Sequence, residues 1–191
     1  MIHETVITTL NPDSTAHIAP FGVRERDGHI IVAPFRPSAS LDNMLRARCA
    51  VINFTDDVRI FAGALTGRCD WPVFPATRIT GHVLAAALAH CELELIAIRD
   101  DDTRPELTFR VAHEVTHRPF RGFNRAQAAV LEAAVLVSRL HMLPPEKIAA
   151  ETEYLKIAVE KTAGEREWQA WTWLMERIEN HNAELRGDNL A

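Results

Sequence analysis

The sequence predicts an α+β chain in which residues 1–120 are mostly antiparallel β and residues 121–191 form three helices. Three observations carry this. Leu107, Phe109, Val111, His113 and Val115 alternate with Thr108, Arg110, Ala112, Glu114 and Thr116, the period of a strand with one wet face. Asp27-Gly28 is a strong short hairpin signal between two β-branched runs. At Arg121-Gly122-Phe123 the apolar spacing changes from two residues to a helical one.

In chain order, Glu4–Leu10 is rich in Thr, Val and Ile, which suit a pleated surface. Asn11-Pro12-Asp13-Ser14 is a turn by composition. Ala16–Val23 is a second strand in which Pro20 must sit at an edge or a bulge. His29–Phe35 returns as a third strand. Leu41, Met44 and Leu45 then share one helical face over 41–48, and Cys49–Phe54 reads as a buried strand. Thr55-Asp56-Asp57 is a helix start, Val58, Phe61 and Leu65 form its stripe, and Gly67 ends it. Arg68–Pro75, with two prolines, reads as a loop, and the Ala- and Leu-rich stretch 83–90 has helical composition. His90–Arg99 is a strand whose Glu92 and Glu94 mark a wet face, and Asp100–Pro105 is a solvated turn. Beyond 121, Asn124-Arg125-Ala126-Gln127 resembles a capping box ahead of Ala126, Val130, Ala133, Val137 and Leu140. Pro144-Pro145 separates this from a stripe of Ile148, Thr152, Leu155 and Val159 closed by Gly164. Trp168, Trp171, Met175 and Ile178 make a third stripe, closed near Gly187.

Of the 191 residues, 47% are hydrophobic, enough for a substantial core. A formal charge of −5 and a pI near 6.0 argue against nucleic acid as the main partner, because phosphate neutralisation needs clustered Lys and Arg. No apolar run approaches the ~20 residues of a membrane span, and Met1-Ile2-His3-Glu4-Thr5 shows no secretory pattern. Cys49, Cys69 and Cys91 are odd in number and widely spaced, as expected of reduced thiols in a cytoplasmic protein.

One literal motif is His113-Glu114-Val115-Thr116-His117, which matches H-E-x-x-H, the signature of many zinc peptidases. That chemistry needs a helix, since both imidazoles must converge on one metal. Here the flanks have period two, and strand residues four apart are separated by roughly 13 Å, against metal–nitrogen bonds of about 2 Å. A polar-faced strand is the better expectation, with zinc hydrolysis through His113, Glu114 and His117 as an alternative. No G-x-G-x-x-G follows a strand, and no G-x-x-x-x-G-K-[ST] is present, so a phosphate must be held by other means.

Pro34–Phe54 offers such a means. Ser38 and Ser40 stand just before the 41–48 helix, Asp42 lies in its first turn, and Arg46 and Arg48 lie in its last. Hydroxyls, backbone N–H groups and Arg36 therefore meet at a helix N-terminus, which suits a phosphate; the plainer role for such a serine is an N-cap.

Two stretches, His17-Ile18-Ala19-Pro20-Phe21-Gly22-Val23 and the run from Pro34 through Asn53, resemble the FMN-binding split-barrel clan of flavin reductase and flavoredoxin-like proteins. The order of T-V-I-T-T, H-I-A-P-F-G-V, P-F-R-P-S-A-S-L-D-N-M, V-I-N-F-T-D-D, R-G-F-N-R-A and K-T-A-G resembles more closely an uncharacterised family of that clan. Its members carry a helical C-terminal extension, and some are associated with tetrahydromethanopterin-linked one-carbon metabolism. The resemblance implies a split β-barrel flavin-binding domain over 1–120, a helical region over 121–191, and FMN as cofactor. It implies that Arg36, Ser38 and Ser40 face the FMN phosphate. Along the ring would lie His17, Ala19, Pro20 and Phe21, with Asn43 and Asn53 as further polar contacts. The flavin reductases often carry Thr where this chain has Ser40. A homodimer with flavin near the interface is implied as well. Hydride or electron transfer through FMN is the expected activity, with a non-catalytic flavin carrier or sensor as the alternative; no residue is singled out as catalytic.

Overall fold

The structure is a computed structural model that describes residues 1–188. The chain divides into two compact units. Met1–Asp56 and Asp70–Phe120 form one, and Asp57–Cys69 with the residues from Arg121 onward form the other.

The first unit is a closed six-stranded barrel in the order β1-β2-β3-β8-β7-β4, with every pairing antiparallel. Its strands are β1 (His3–Leu10), β2 (Ala16–Arg26), β3 (His29–Val32), β4 (Cys49–Phe54), β7 (Ala89–Arg99) and β8 (Glu106–Thr116). The helix α1 (Ala39–Ala47) joins β3 to β4, and β5 (Val73–Pro75) with β6 (His82–Leu84) forms a separate two-stranded hairpin. Alternation sorts the side chains. Ile7, Ala50, Ile52, Cys91, Leu93, Leu95, Leu107 and Phe109 fill the interior, and α1 adds Leu41 and Met44 to the same cluster. Each such Leu or Phe contributes on the order of 1.5–3 kcal/mol by leaving water.

The barrel is closed but not evenly paired. β2 pairs with β1 from Ala16 to Val23, and β3 joins β2 only at Arg24–Arg26. Residues 16–23 therefore have a ladder on one side only, and this open side accommodates Pro20, which lacks an N–H. The strand expected over His29–Phe35 stops at Val32, and α1 begins at Ala39 rather than 41.

The outer face of β1, β4 and β7 departs most from expectation. Arg68–Pro75 is not simply a loop and 83–90 is not a helix: they supply β5, β6 and the start of β7. The β5–β6 hairpin packs against β1 and β4 and is tied down through its backbone. Thr8 donates to the His82 carbonyl, the Cys49 thiol donates to the Thr80 carbonyl at 3.2 Å, and Asn53 Oδ1 accepts from Leu84 N–H at 2.8 Å. Glu92, expected on a wet face, has no solvent exposure: its carboxylate accepts from the N–H groups of Thr77, Arg78 and Ile79 at 2.6, 2.6 and 3.0 Å.

The second unit is helical: α2 (Arg59–Thr66), α3 (Arg125–Val137), α4 (Pro145–Thr162) and α5 (Glu165–Asp188). The stripe Ala126, Val130, Ala133, Val137 and Leu140 is buried in one cluster with Ile148, Val159, Trp171, Leu174 and Ile178, and with Val58 and Ala62 from the cap and body of α2. Asn124 caps α3 by accepting from Ala126 and Gln127 N–H. Gln127 does not complete the capping box, because its amide donates to Glu167 Oε1 at 3.1 Å. Trp168 is exposed, unlike Trp171, and α5 runs past Gly187.

Candidate functional site

The site builds outward from the start of α1. Extended backbone at Ser38 (φ −158°, ψ 145°) makes it the N-cap, and its Oγ accepts from Leu41 N–H at 3.3 Å. The N–H groups of Ala39 and Ser40, at the first two helical positions, have no acceptor within the helix. They point along the helix axis together with the positive end of its dipole. The Ser38 hydroxyl keeps its proton for donation. Ser40 lies inside the helix, almost wholly buried, with its Oγ 3.0 Å from His17 Nε2 on β2. Burial holds the His17 imidazole below its ordinary range, so it is neutral at pH 7. A neutral ring with its proton on Nε2 donates to Ser40 Oγ and leaves the serine hydroxyl free to donate onward.

Asn43, one turn beyond Ser40, closes the same face. Its amide nitrogen donates to Thr9 Oγ1 at 3.2 Å and to Asn11 Oδ1 at 3.1 Å, and its Oδ1 accepts from Arg46 at 3.3 Å. Thr9 is the register partner of His17, so Ser40 and Asn43 pin α1 to one β1–β2 ribbon. Ala19, Pro20 and Phe21 continue along β2, half-buried, on its one-sided stretch. The Phe21 carbonyl accepts from Thr5 Oγ1 at 3.0 Å.

Thus His17 and Ser40 come together, the Ser38 cap stands two residues before Ser40, and Ala19–Phe21 lie further along the same strand as His17. Two of the other expected residues stand apart. Arg36 is turned to Asp100 Oδ1 at 3.0 Å, with its backbone N–H on the Thr103 carbonyl. Asn53 has no exposure and is saturated: its amide nitrogen donates to the Val6 carbonyl and Thr8 Oγ1, and its Oδ1 takes Leu84 N–H. Asn43 is close but equally saturated, so it positions α1 rather than offering a free group.

The H-E-x-x-H string lies on β8 and just beyond it, so the zinc geometry fails. His113 is the register partner of Glu92, while His117 Nε2 is 2.8 Å from His90 Nδ1 with the rings stacked at 5.0 Å. Among the described residues, no group of three or more His, Cys, Asp or Glu is placed to hold a metal ion. The sequence pattern missed a polar network here. Buried His90 lies between His117 and Glu92, whose Oε1 is 3.5 Å from His90 Nε2. Burial opposes the charge on Glu92, but its three backbone donors and His90 outweigh this and hold the carboxyl below its ordinary range.

A closed antiparallel barrel with a capped helix start beside a one-sided strand defines a split barrel of the flavin-reductase type. Residues 3–118 match the family described as "Protein of unknown function (DUF447) N-terminal domain", and residues 124–176 match the second DUF447 region. The chain belongs to the DUF447 family. Among solved structures it is similar to an FMN-bound DUF447 protein from Methanosarcina mazei, with a TM-score of 0.78 and 21% identity, covering 92% of this chain and 94% of that one. It is also similar to the 2-nitrobenzoate 2-nitroreductase NbaA of Pseudomonas fluorescens (TM-score 0.53, 17% identity, 60% of this chain and 64% of that one). BorF, the flavin reductase component of a bacterial two-component tryptophan halogenase, aligns with a TM-score of 0.50 at 18% identity over 62% of this chain and 82% of its own. No curated protein matches the chain by sequence.

Proposed function

We propose that this protein binds FMN and uses it as an oxidoreductase. The observation that carries the reading is the start of α1, which presents the N–H groups of Ala39 and Ser40, the Ser38 cap hydroxyl and the Ser40 hydroxyl held by His17. These groups suit a phosphate dianion in type and in electrostatic sign. The half-buried Ala19–Phe21 strip suits a flat apolar ring, with backbone as its polar component. The FMN-bound family member, similar over 92% of this chain, supports the same assignment.

In this reading Ser38 and Ser40 hold the phosphate, His17 orients Ser40, and Ala19, Pro20 and Phe21 flank the ring. Arg36 joins them only by leaving Asp100, an exposed pair that is inexpensive to break. Asn43 and Asn53 act as positioning residues. Bound FMN supplies hydride or electron transfer, so the chain's own residues need only bind, orient and exclude water. The one-sided stretch of β2 favours a homodimer that covers it, with the flavin near the interface. The three free thiols are in keeping with a cytoplasmic setting. No described helix is long and apolar enough to cross a membrane.

The test is to mix the purified chain with FMN, pass it through gel filtration and record the visible spectrum of the protein peak. A flavin band co-eluting near one equivalent is expected. Its absence at micromolar protein sinks the proposal. Steady oxidation of NADH or NADPH by the loaded protein then separates an oxidoreductase from a flavin carrier.

A further inference from the structure

Away from α1, the outer face of the β7–β8 hairpin carries a groove of about 480 Å³ lined by Arg78, Glu94, Arg110, Val111, Ala112 and His113. In the six-stranded ring β7 lies three strands from β2 and β8 lies two, so neither strand of the groove pairs with β2, which carries His17. Three features shape it. The ladder slips between Glu92 and Leu93: Glu92 faces His113 and Leu93 faces Val111, which leaves Ala112 unopposed as a bulge. Bulges re-aim neighbouring side chains. Next, β3 pairs with β8 only over Leu107–Phe109, so β8 from Arg110 onward is paired by β7 alone. Finally, the backbone N–H groups of Thr77, Arg78 and Ile79 donate to the Glu92 carboxylate, which locks the Arg78 backbone at the groove's edge.

The charge is lopsided. Two guanidinium groups and an imidazole meet one carboxylate, Glu94, which pairs with Arg110 through Nη2. Among the described residues no carboxylate pairs with Arg78, and Arg110 retains further N–H donors. A concave surface of this volume suits a small molecule, and two guanidinium forks suit a planar or tetrahedral oxyanion.

We propose that this groove is a second, oxyanion-binding site, taking a small molecule through its phosphate or carboxylate. Arg78 and Arg110 grip the anion, and the His113 ring adds an N–H donor. Glu94 holds Arg110 in place and weakens binding by its own charge. The site goes beyond the FMN assignment and does not depend on it.

Calorimetric titration of the full-length protein, with and without saturating FMN, tests this using inorganic pyrophosphate and succinate as probes. One equivalent of pyrophosphate should bind in both forms. Arg78→Gln and Arg110→Gln should each weaken it by at least about tenfold. Both substitutions are at exposed positions, so the fold is retained. Glu94→Gln should tighten binding severalfold, a gain that lost structure cannot produce. Pyrophosphate without succinate binding assigns a phosphate ligand, and comparable binding of both assigns a carboxylate-tolerant site. Three results would overturn the proposal: no binding of either probe, equal binding by wild type and both arginine variants, or loss of pyrophosphate binding on FMN addition. If the protein takes no FMN at all, the FMN-free titration still decides.

Discussion

Glu92→Ala is the most informative perturbation of the fold. The carboxylate is fully buried and accepts from Thr77, Arg78 and Ile79, with His90 Nε2 nearby at 3.5 Å. A buried donor left without an acceptor costs about 1–3 kcal/mol. Thr77 and Arg78 are exposed residues whose N–H groups can turn to water, whereas Ile79 and His90 are shielded. Two stranded donors, plus partial loss at the other two, give a destabilisation of about 3–5 kcal/mol. Glu92→Gln should lose less, since it keeps one acceptor oxygen and sets an NH2 against a donor. Urea unfolding gives the stability. Hydrogen exchange gives the local effect: the amides of Thr77, Arg78 and Ile79 should lose protection together while Leu93 and Phe109 keep theirs. A Glu92→Ala protein within about 0.5 kcal/mol of wild type, with those three amides still protected, would refute the pinning of this segment by a carboxylate.

Other consequences are as direct. Burial, with His117 and His113 adding to it and Glu92 opposing, holds His90 below the ordinary imidazole range. Its contribution to stability is therefore complete above about pH 6.5 and declines as pH falls through that value, because the unfolded chain protonates first; His90→Gln should flatten the stability–pH curve below about pH 6.5. Leu93→Ala, at a position with no exposure in the barrel core, should cost about 2–5 kcal/mol by thermal or urea unfolding. Cys91 is buried, and burial together with Glu114 raises its thiol to about 11, while Cys69 is exposed. A thiol reagent at pH 8 should therefore modify Cys69 rapidly and Cys91 only on unfolding.

Much of the barrel is legible in the residues. The alternation of Cys91, Leu93 and Leu95, and of Leu107 and Phe109, marks the inward face, and Asp27-Gly28 marks the β2–β3 turn. The helix α1 was legible as well, but it starts at Ala39 with Ser38 as its cap, so Ser40, read as lying ahead of the helix, is inside it. What was not legible was the cover. Glu92 and Asn53 read as wet-face or ligand residues, since a charged or amide side chain on the outer pleat normally meets water. They are instead the acceptors of a hairpin contributed from elsewhere in the chain, and Asn53 Oδ1 is matched to Leu84 N–H, 31 residues away. Local pattern carries no information about such distant partners. Val73–Pro75, with its proline, gave no strand signal because it pairs only with β6. Arg36 illustrates the same limit: its charge suits a phosphate, but its partner in this structure is Asp100, set by the β7–β8 turn. The helix over Arg59–Thr66 looked like part of the barrel region by position, yet it groups with the helices after Arg121. Its apolar stripe, Val58 included, indicates a partner but not which one.

The measurement closest to the central claim compares FMN with riboflavin, which lacks only the phosphate, on wild type and on Ser38→Ala/Ser40→Ala. Flavin fluorescence quenching at fixed pH and salt reports both affinities. If the α1 start holds the phosphate, wild type binds FMN far more tightly than riboflavin, and the double variant loses about tenfold or more toward FMN while its riboflavin affinity barely changes. Equal losses toward both flavins, or no preference for FMN in wild type, would contradict the assignment.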